Sequence, residues 1–160
     1  MSKIIVIGFG NPLRSDDSFG WKAIEELQSV VTAKNVEFIE CQQLAPEFAE
    51  KISKASLAIF VDADSNGVAG AVHCYPIHPM PKDQASALTH HLDPCALVTL
   101  AEKLYGHAPE ALVVSVTGEC FGFGKTLSEP VASSLPGVVR HLADVIHEKS
   151  QNPIRELVHA

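Results

Sequence analysis

The sequence predicts an α/β protein built on an open, mostly parallel, five-stranded sheet with helices on both faces, a three-layer sandwich. Two observations carry this. Short runs of β-branched residues alternate with longer amphipathic stretches along the chain. The 160 residues, 46% of them hydrophobic, suit one domain with a sizeable core. No internal repeat, low-complexity tract or linker divides residues 1–160. Right-handed crossovers leave few arrangements, and a doubly wound sheet in flavodoxin-like order is the natural one.

The elements follow in order. "KIIVIG" (3–8) reads as a buried strand. "SFGWKAIEELQSVV" (18–31) reads as an amphipathic helix with Trp21, Ile24, Leu27 and Val31 on one face. "VEFIEC" (36–41) is a second strand, and residues 46–55 form a helix with Pro46 near its first turn. "LAIFVDA" (57–63) is a third strand, followed by turn chemistry in "SNGVAG". "AVHCYPI" (71–77) is a weaker fourth strand, suited to an edge because of Pro76 and Pro79. "LDPCALVTLAEKLYG" (92–106) is a helix with Pro94 early and Gly106 at its end. "ALVVSVTG" (111–118) is a fifth strand. Residues 128–149 form the last helix, kinked or restarted near Pro136, and the tail beyond about 150 is loosely held.

The net charge of −7 argues against non-specific binding to nucleic acid or to an anionic membrane. No apolar run approaches a membrane span, and Gly, Asn and Pro interrupt the opening residues too soon for a signal peptide. A cytoplasmic protein is expected. Cys41, Cys74, Cys95 and Cys120 form no CxxC motif, and reduced thiols are the default.

The loop "GFGNPLRSDDSFG" (8–20) places two glycines where a dinucleotide fingerprint would, but Leu13 stands at the third glycine position. Its side chain would keep the helix from closing on the strand, and Asp16 and Asp17 would repel a phosphate. "GECFGFGKT" (118–126) resembles a P-loop, yet the required first glycine is Glu119. It reads as a flexible loop beside the cleft.

Ligands bind beyond the carboxyl ends of the strands in such sheets, where strand order switches. The first strand leads to Asp16 and Asp17, the third carries Asp62 and Asp64, and "THHLDP" brings His90, His91 and Asp93 before a helix. If the third strand pairs with the first, Asp17 and Asp62 flank the switch point and His90 can reach it from above. Two carboxylates and an imidazole suit zinc or nickel, with positions left open for water or substrate. A metal there can polarise a carbonyl and activate water. Asp17 also suits a helix N-cap. Asp62, beside apolar "AIFV", needs a partner in its own right. Spacing does not choose between His90 and His91.

The opening loop resembles the G-x-G-N-x-L-x-x-D-[DE]-G-x-G signature of the hydrogenase maturation proteases, which trim the C-terminal extension from the large subunit of nickel-iron hydrogenases. "IFVDAD", "THHLDP" and "TLSEPV" continue the resemblance in order. It implies an α/β/α sandwich, nickel bound by Asp17, Asp62 and His90, and nickel that arrives with the substrate. It implies an endopeptidase whose partner is a hydrogenase large-subunit precursor. "QQLAPE" (42–47) is similar to the variant associated with cytosolic, bidirectional-type hydrogenases. Ser18 replaces the usual glycine after the acidic pair, and Asp17 stands where some members carry Glu. The expected chemistry is metal-assisted or aspartyl-type hydrolysis by a monomer, with Asp16 as a base or a supporting group. There is no G-x-S-x-G elbow. A Cys–His protease built on Cys41 is disfavoured, because Glu40 would raise the thiol pKa. The alternatives are a non-cleaving, metal-sensing chaperone for the precursor and a general metallo-aminopeptidase.

Overall fold

The computed structural model describes residues 2–81 and 92–151. Strand β1 (Ile4–Phe9) leads through a 3-10 turn (Ser15–Ser18) into α1 (Phe19–Val30). Then come β2 (Val36–Cys41), α2 (Phe48–Ser53), β3 (Leu57–Asp64) and β4 (Val72–Ile77). Helix α3 (Pro94–Tyr105), β5 (Glu110–Thr117) and α4 (Glu129–Gln151) complete the fold.

The sheet order is β2-β1-β3-β5-β4, with β4 antiparallel to β5 and the other pairs parallel. The expected pairing of the third strand beside the first is present. The last two strands are exchanged relative to flavodoxin order. Their placement follows from chain length. Only residues 65–71 separate β3 from β4, too few for the helical crossover that a parallel return requires. β4 therefore runs back along the edge, where Pro76 removes no central ladder bond.

Alternation along the strands splits the core in two. Ile4, Val6, Ile59, Val61, Val114 and Val116 face α1 and α4. Ile5, Ile7, Ala58, Phe60, Ala111 and Val113 face α2 and α3. These central strands are buried on both faces, which is why they read as continuous apolar runs.

Both ends of α3 obey their local chemistry. Asp93 caps α3 by accepting from the Ala96 N–H at 2.8 Å, Pro94 opens the helix, and Gly106 closes it in the left-handed region. α4 runs unbroken through Pro136, contrary to the expected restart. Val131 lies before the proline, with Val138, Val139, Leu142 and Ile146 after it, all buried in one core. Their packing holds the helix across the hydrogen bond that proline cannot donate.

The opening loop closes differently from the expectation built on Leu13. Leu13 points outward, 51% exposed, and α1 still meets the sheet. Gly20 makes this possible: a Cβ there would lie 2.4 Å from the Val61 carbonyl oxygen. At Gly8 a Cβ would lie 2.2 Å from the Gly20 carbonyl oxygen. Two glycines facing one another let helix and strand touch.

Candidate active site

Asp17 is positioned by the chain just before it. Gly10 has φ 139°, a conformation that favours glycine, and a Cβ there would strike the Asp17 carbonyl oxygen at 2.1 Å. The next residue, Asn11, donates its backbone N–H to Asp17 Oδ2 at 2.7 Å. Asn11 Oδ1 accepts from the Leu13 N–H at 2.9 Å, which folds the loop as an Asx turn. Asp17 is not the cap of α1. The N-cap position is Ser18, which makes no side-chain cap bond, and the Asp17 carboxylate is held by the loop behind it. Nor does the family glycine matter at Ser18. Its φ of −82° suits any residue, and its hydroxyl donates to the Ser15 carbonyl.

Asp62 lies on β3, opposite Ser115 of β5. Burial, with the nearby charges of Asp64 and Asp17, pushes its carboxyl up to about 6. The Ser115 hydroxyl, which donates to Asp64 Oδ2 at 3.0 Å, only partly offsets this. Asp62 Oδ1 is buried and has no hydrogen-bond partner among the described residues.

Asp17 and Asp62 line the same cleft, of about 390 Å³, at the carboxyl ends of β1 and β3. This is the switch point where the chain passes to either side of β1. Gln42, Gln43 and Leu44 form part of its wall, with Phe9 and Leu92. The two glutamines were not singled out as site residues from sequence. Their place directly after β2 was the available signal. The wall is fixed at Cys41, whose carbonyl accepts from the Trp21 indole at 3.0 Å and from the Gly10 N–H at 3.1 Å. The Cys41 thiol is itself pushed up by burial rather than by Glu40, which leaves it poorly suited to nucleophilic attack.

His90 and His91 lie outside the described residues. Among the described residues no three His, Cys, Asp or Glu side chains gather closely enough to hold a metal ion. Two of the three expected ligands, Asp17 and Asp62, thus line one cleft. A hard or borderline cation fits that donor chemistry.

Asp16 faces elsewhere. It is wholly buried, and its Oδ2 accepts from the Glu119 N–H at 2.7 Å, the Cys120 N–H at 2.9 Å and the Ser128 hydroxyl at 2.8 Å. Its Oδ1 accepts from the Ser128 N–H at 2.7 Å. Burial alone would raise its pKa, but these donors together hold it below the ordinary carboxylate value. A carboxylate with its lone pairs so occupied is a brace rather than a base. Asp16 ties the opening loop to residues 119–128, and so the glycine-rich segment is not the flexible loop expected. Ser15 N–H donates to the Gly124 carbonyl, and the Gly124 N–H returns a bond to Leu13, both at 2.9 Å.

No protein-family model matches the sequence, and no curated protein matches it significantly. Solved structures do match. The [NiFe] hydrogenase maturation protease HycI from Thermococcus kodakarensis superimposes with a TM-score of 0.72 at 22% identity, covering 91% of this chain and 93% of that one. The fold is that of the hydrogenase maturation proteases. The maturating endopeptidase HybD from E. coli gives a TM-score of 0.72 at 18% identity, covering 92% of this chain and 93% of its own. A hydrogenase 2 maturation peptidase from a Thaumarchaeota archaeon gives 0.69 at 20% identity, covering 91% and 98%. The maturation-protease fold thus spans nearly the whole chain. Among the described residues, no helix is long and apolar enough to cross a membrane.

Proposed function

We propose that this protein is an endopeptidase that removes the C-terminal extension from the large-subunit precursor of a nickel-iron hydrogenase once nickel has been inserted. One observation carries the reading most: Asp17 and Asp62 line one cleft at the switch point, and Asp62 keeps a buried oxygen without a partner. The fold shared with the maturation proteases supports it. In this reading the nickel belongs to the substrate, and His90 completes the ligand set.

Each residue then has a definite task. Asp17 offers the carboxylate oxygen not engaged by Asn11. Asp62 offers its unpartnered Oδ1, which burial makes costly to leave ionised and alone. A bound metal supplies a Lewis acid that polarises the scissile carbonyl. Asp16 does no chemistry and fixes the loop that carries Asp17. Gln42 and Gln43, on the cleft wall, are placed to hydrogen-bond an extended peptide.

The test uses purified precursor in nickel-loaded and nickel-free forms, with tail loss followed by intact mass. The expected result is cleavage of the loaded form alone. Cleavage of both, or of neither, contradicts the proposal. A stable complex whose tail is never lost would instead favour a non-cleaving chaperone.

A further inference from the structure

The two segments joined through Asp16 present a surface that the cleft chemistry does not use. Phe123 is 83% exposed, an unusual state for so large an apolar side chain. It is not loosely held. Gly122 and Gly124 on either side are tied down, the first by the Ser15 hydroxyl at 2.8 Å and the second by paired backbone bonds with Leu13 and Ser15. The Arg14 guanidinium lies 4.1 Å from the centre of the Phe123 ring. Leu13, half exposed, is the neighbour of Arg14 in the chain.

The glycines allow this arrangement. A Cβ at Gly124 would press on the Ser15 hydroxyl at 3.0 Å, and one at Gly118 would meet the Phe121 ring at 2.5 Å. Gly118 and Gly124 thus let the loop lie close against Asp16 and Ser15. The outcome is an aromatic ring, an aliphatic side chain and a guanidinium on a pre-ordered frame. Rings and arginines on rigid frames are the side chains that dominate protein interfaces.

Charge narrows the occupant. Arg14 and the exposed Lys125 make no ion pair among the described residues, on a chain whose net charge is −7. Glu119, four residues before Phe123, is the acidic residue of the same loop. The patch is a cationic and apolar island on an acidic protein, and it complements a surface bearing apolar groups and carboxylates. Position narrows it further. Loop 10–17 carries Leu13 and Arg14 on this patch and Asp17 in the cleft. A protein seated here has its processed segment beside the cleft.

We infer that Leu13, Arg14 and Phe123 form a docking site for the folded body of the substrate protein, separate from the cleft that receives its tail. This rests on the proposed function and adds how the substrate is gripped. The measurement is processing kinetics of the nickel-loaded precursor by wild type, Phe123→Ala and Arg14→Ala. Melting curves check that each variant is folded, and sedimentation reports the oligomeric state. Each substitution should raise KM about ten-fold and leave kcat within about two-fold. Wild-type KM should rise with salt, and Arg14→Ala should flatten that dependence. Variants that match wild-type KM, while wild type cuts the precursor, overturn the docking site alone. A dimer of wild type that the same substitutions dissolve also overturns it, because the patch then serves a second copy of this chain. Wild type that neither binds nor cuts the precursor overturns the proposed function and the docking site together.

Discussion

Asp16 and Asp62 are the same residue type, both largely withdrawn from water, and they are driven in opposite directions. Asp16 accepts four hydrogen bonds and is held below the ordinary carboxylate value. Asp62 has an oxygen with no partner and is pushed up to about 6. Burial pushes both upward; four hydrogen bonds outweigh it at Asp16, whereas at Asp62 the burial and the neighbouring charges of Asp64 and Asp17 prevail. The number of donors each carboxylate meets is what tips the balance at Asp16. One region is finished within the chain, and the other is left open for something the chain does not supply.

The largest effect should come from breaking the finished region. Asp16→Ala leaves three backbone N–H groups and the Ser128 hydroxyl, all part-buried, without their acceptor and should cost about 3 kcal/mol in chemical denaturation. If Asp16→Ala melted like wild type, the brace would be disproved. Acidity sharpens the point. A depressed folded pKa contributes stability above the ordinary value of 3.8 that fades as pH falls through the folded pKa. Wild type should therefore begin to lose this support as pH falls below 3.8.

Asp62 should behave oppositely. Its pKa is raised on folding, so its contribution is fully present below 3.8 and is lost as pH rises through about 6. A rise from 3.8 to about 6 corresponds to about 3 kcal/mol at neutral pH. Asp62→Asn should recover up to that amount at pH 7, recover little at pH 4, and abolish processing. Loss of stability at pH 7 would show that Asp62 is already satisfied and remove the contrast with Asp16.

Gly10→Ala lies between the two regions. The new Cβ must move the Asp17 backbone, at a cost of roughly 1–3 kcal/mol, and processing should fall further than stability. The smallest effect should be at the exposed surface. Lys54→Ala removes an open pair with Glu50 at 3.5 Å and should change stability by no more than about 0.5 kcal/mol.

The same contrast marks what the sequence made legible. Strands β1, β3 and β5 were readable because burial on both faces leaves continuous apolar runs, and the edge strand β2 because its apolar residues Val36, Phe38 and Ile39 are interrupted by Glu37 and Glu40. Asp17 and Asp62 were readable as a pair because one follows β1 in the turn before α1 and the other lies near the carboxyl end of β3, at the rim where ligands bind. The role of Asp16 was not, since its donors lie 103 to 112 residues away. Only folding brings Glu119, Cys120 and Ser128 to it. The exchange of β4 and β5 was missed although the short 65–71 connection already excluded a parallel return. The contribution of Gly20 went unseen because a dinucleotide template directs attention to position 13. His90 was named from the "THHLDP" segment, and it lies outside the described residues.

A crystal soaked in nickel, with anomalous scattering recorded at the nickel edge, tests the central claim most directly. The account predicts a peak within coordination distance of an Asp17 oxygen and of Asp62 Oδ1, with an imidazole nitrogen as a third ligand. A peak bound elsewhere, with Asp62 Oδ1 still unpartnered and no density between the two carboxylates, would contradict it.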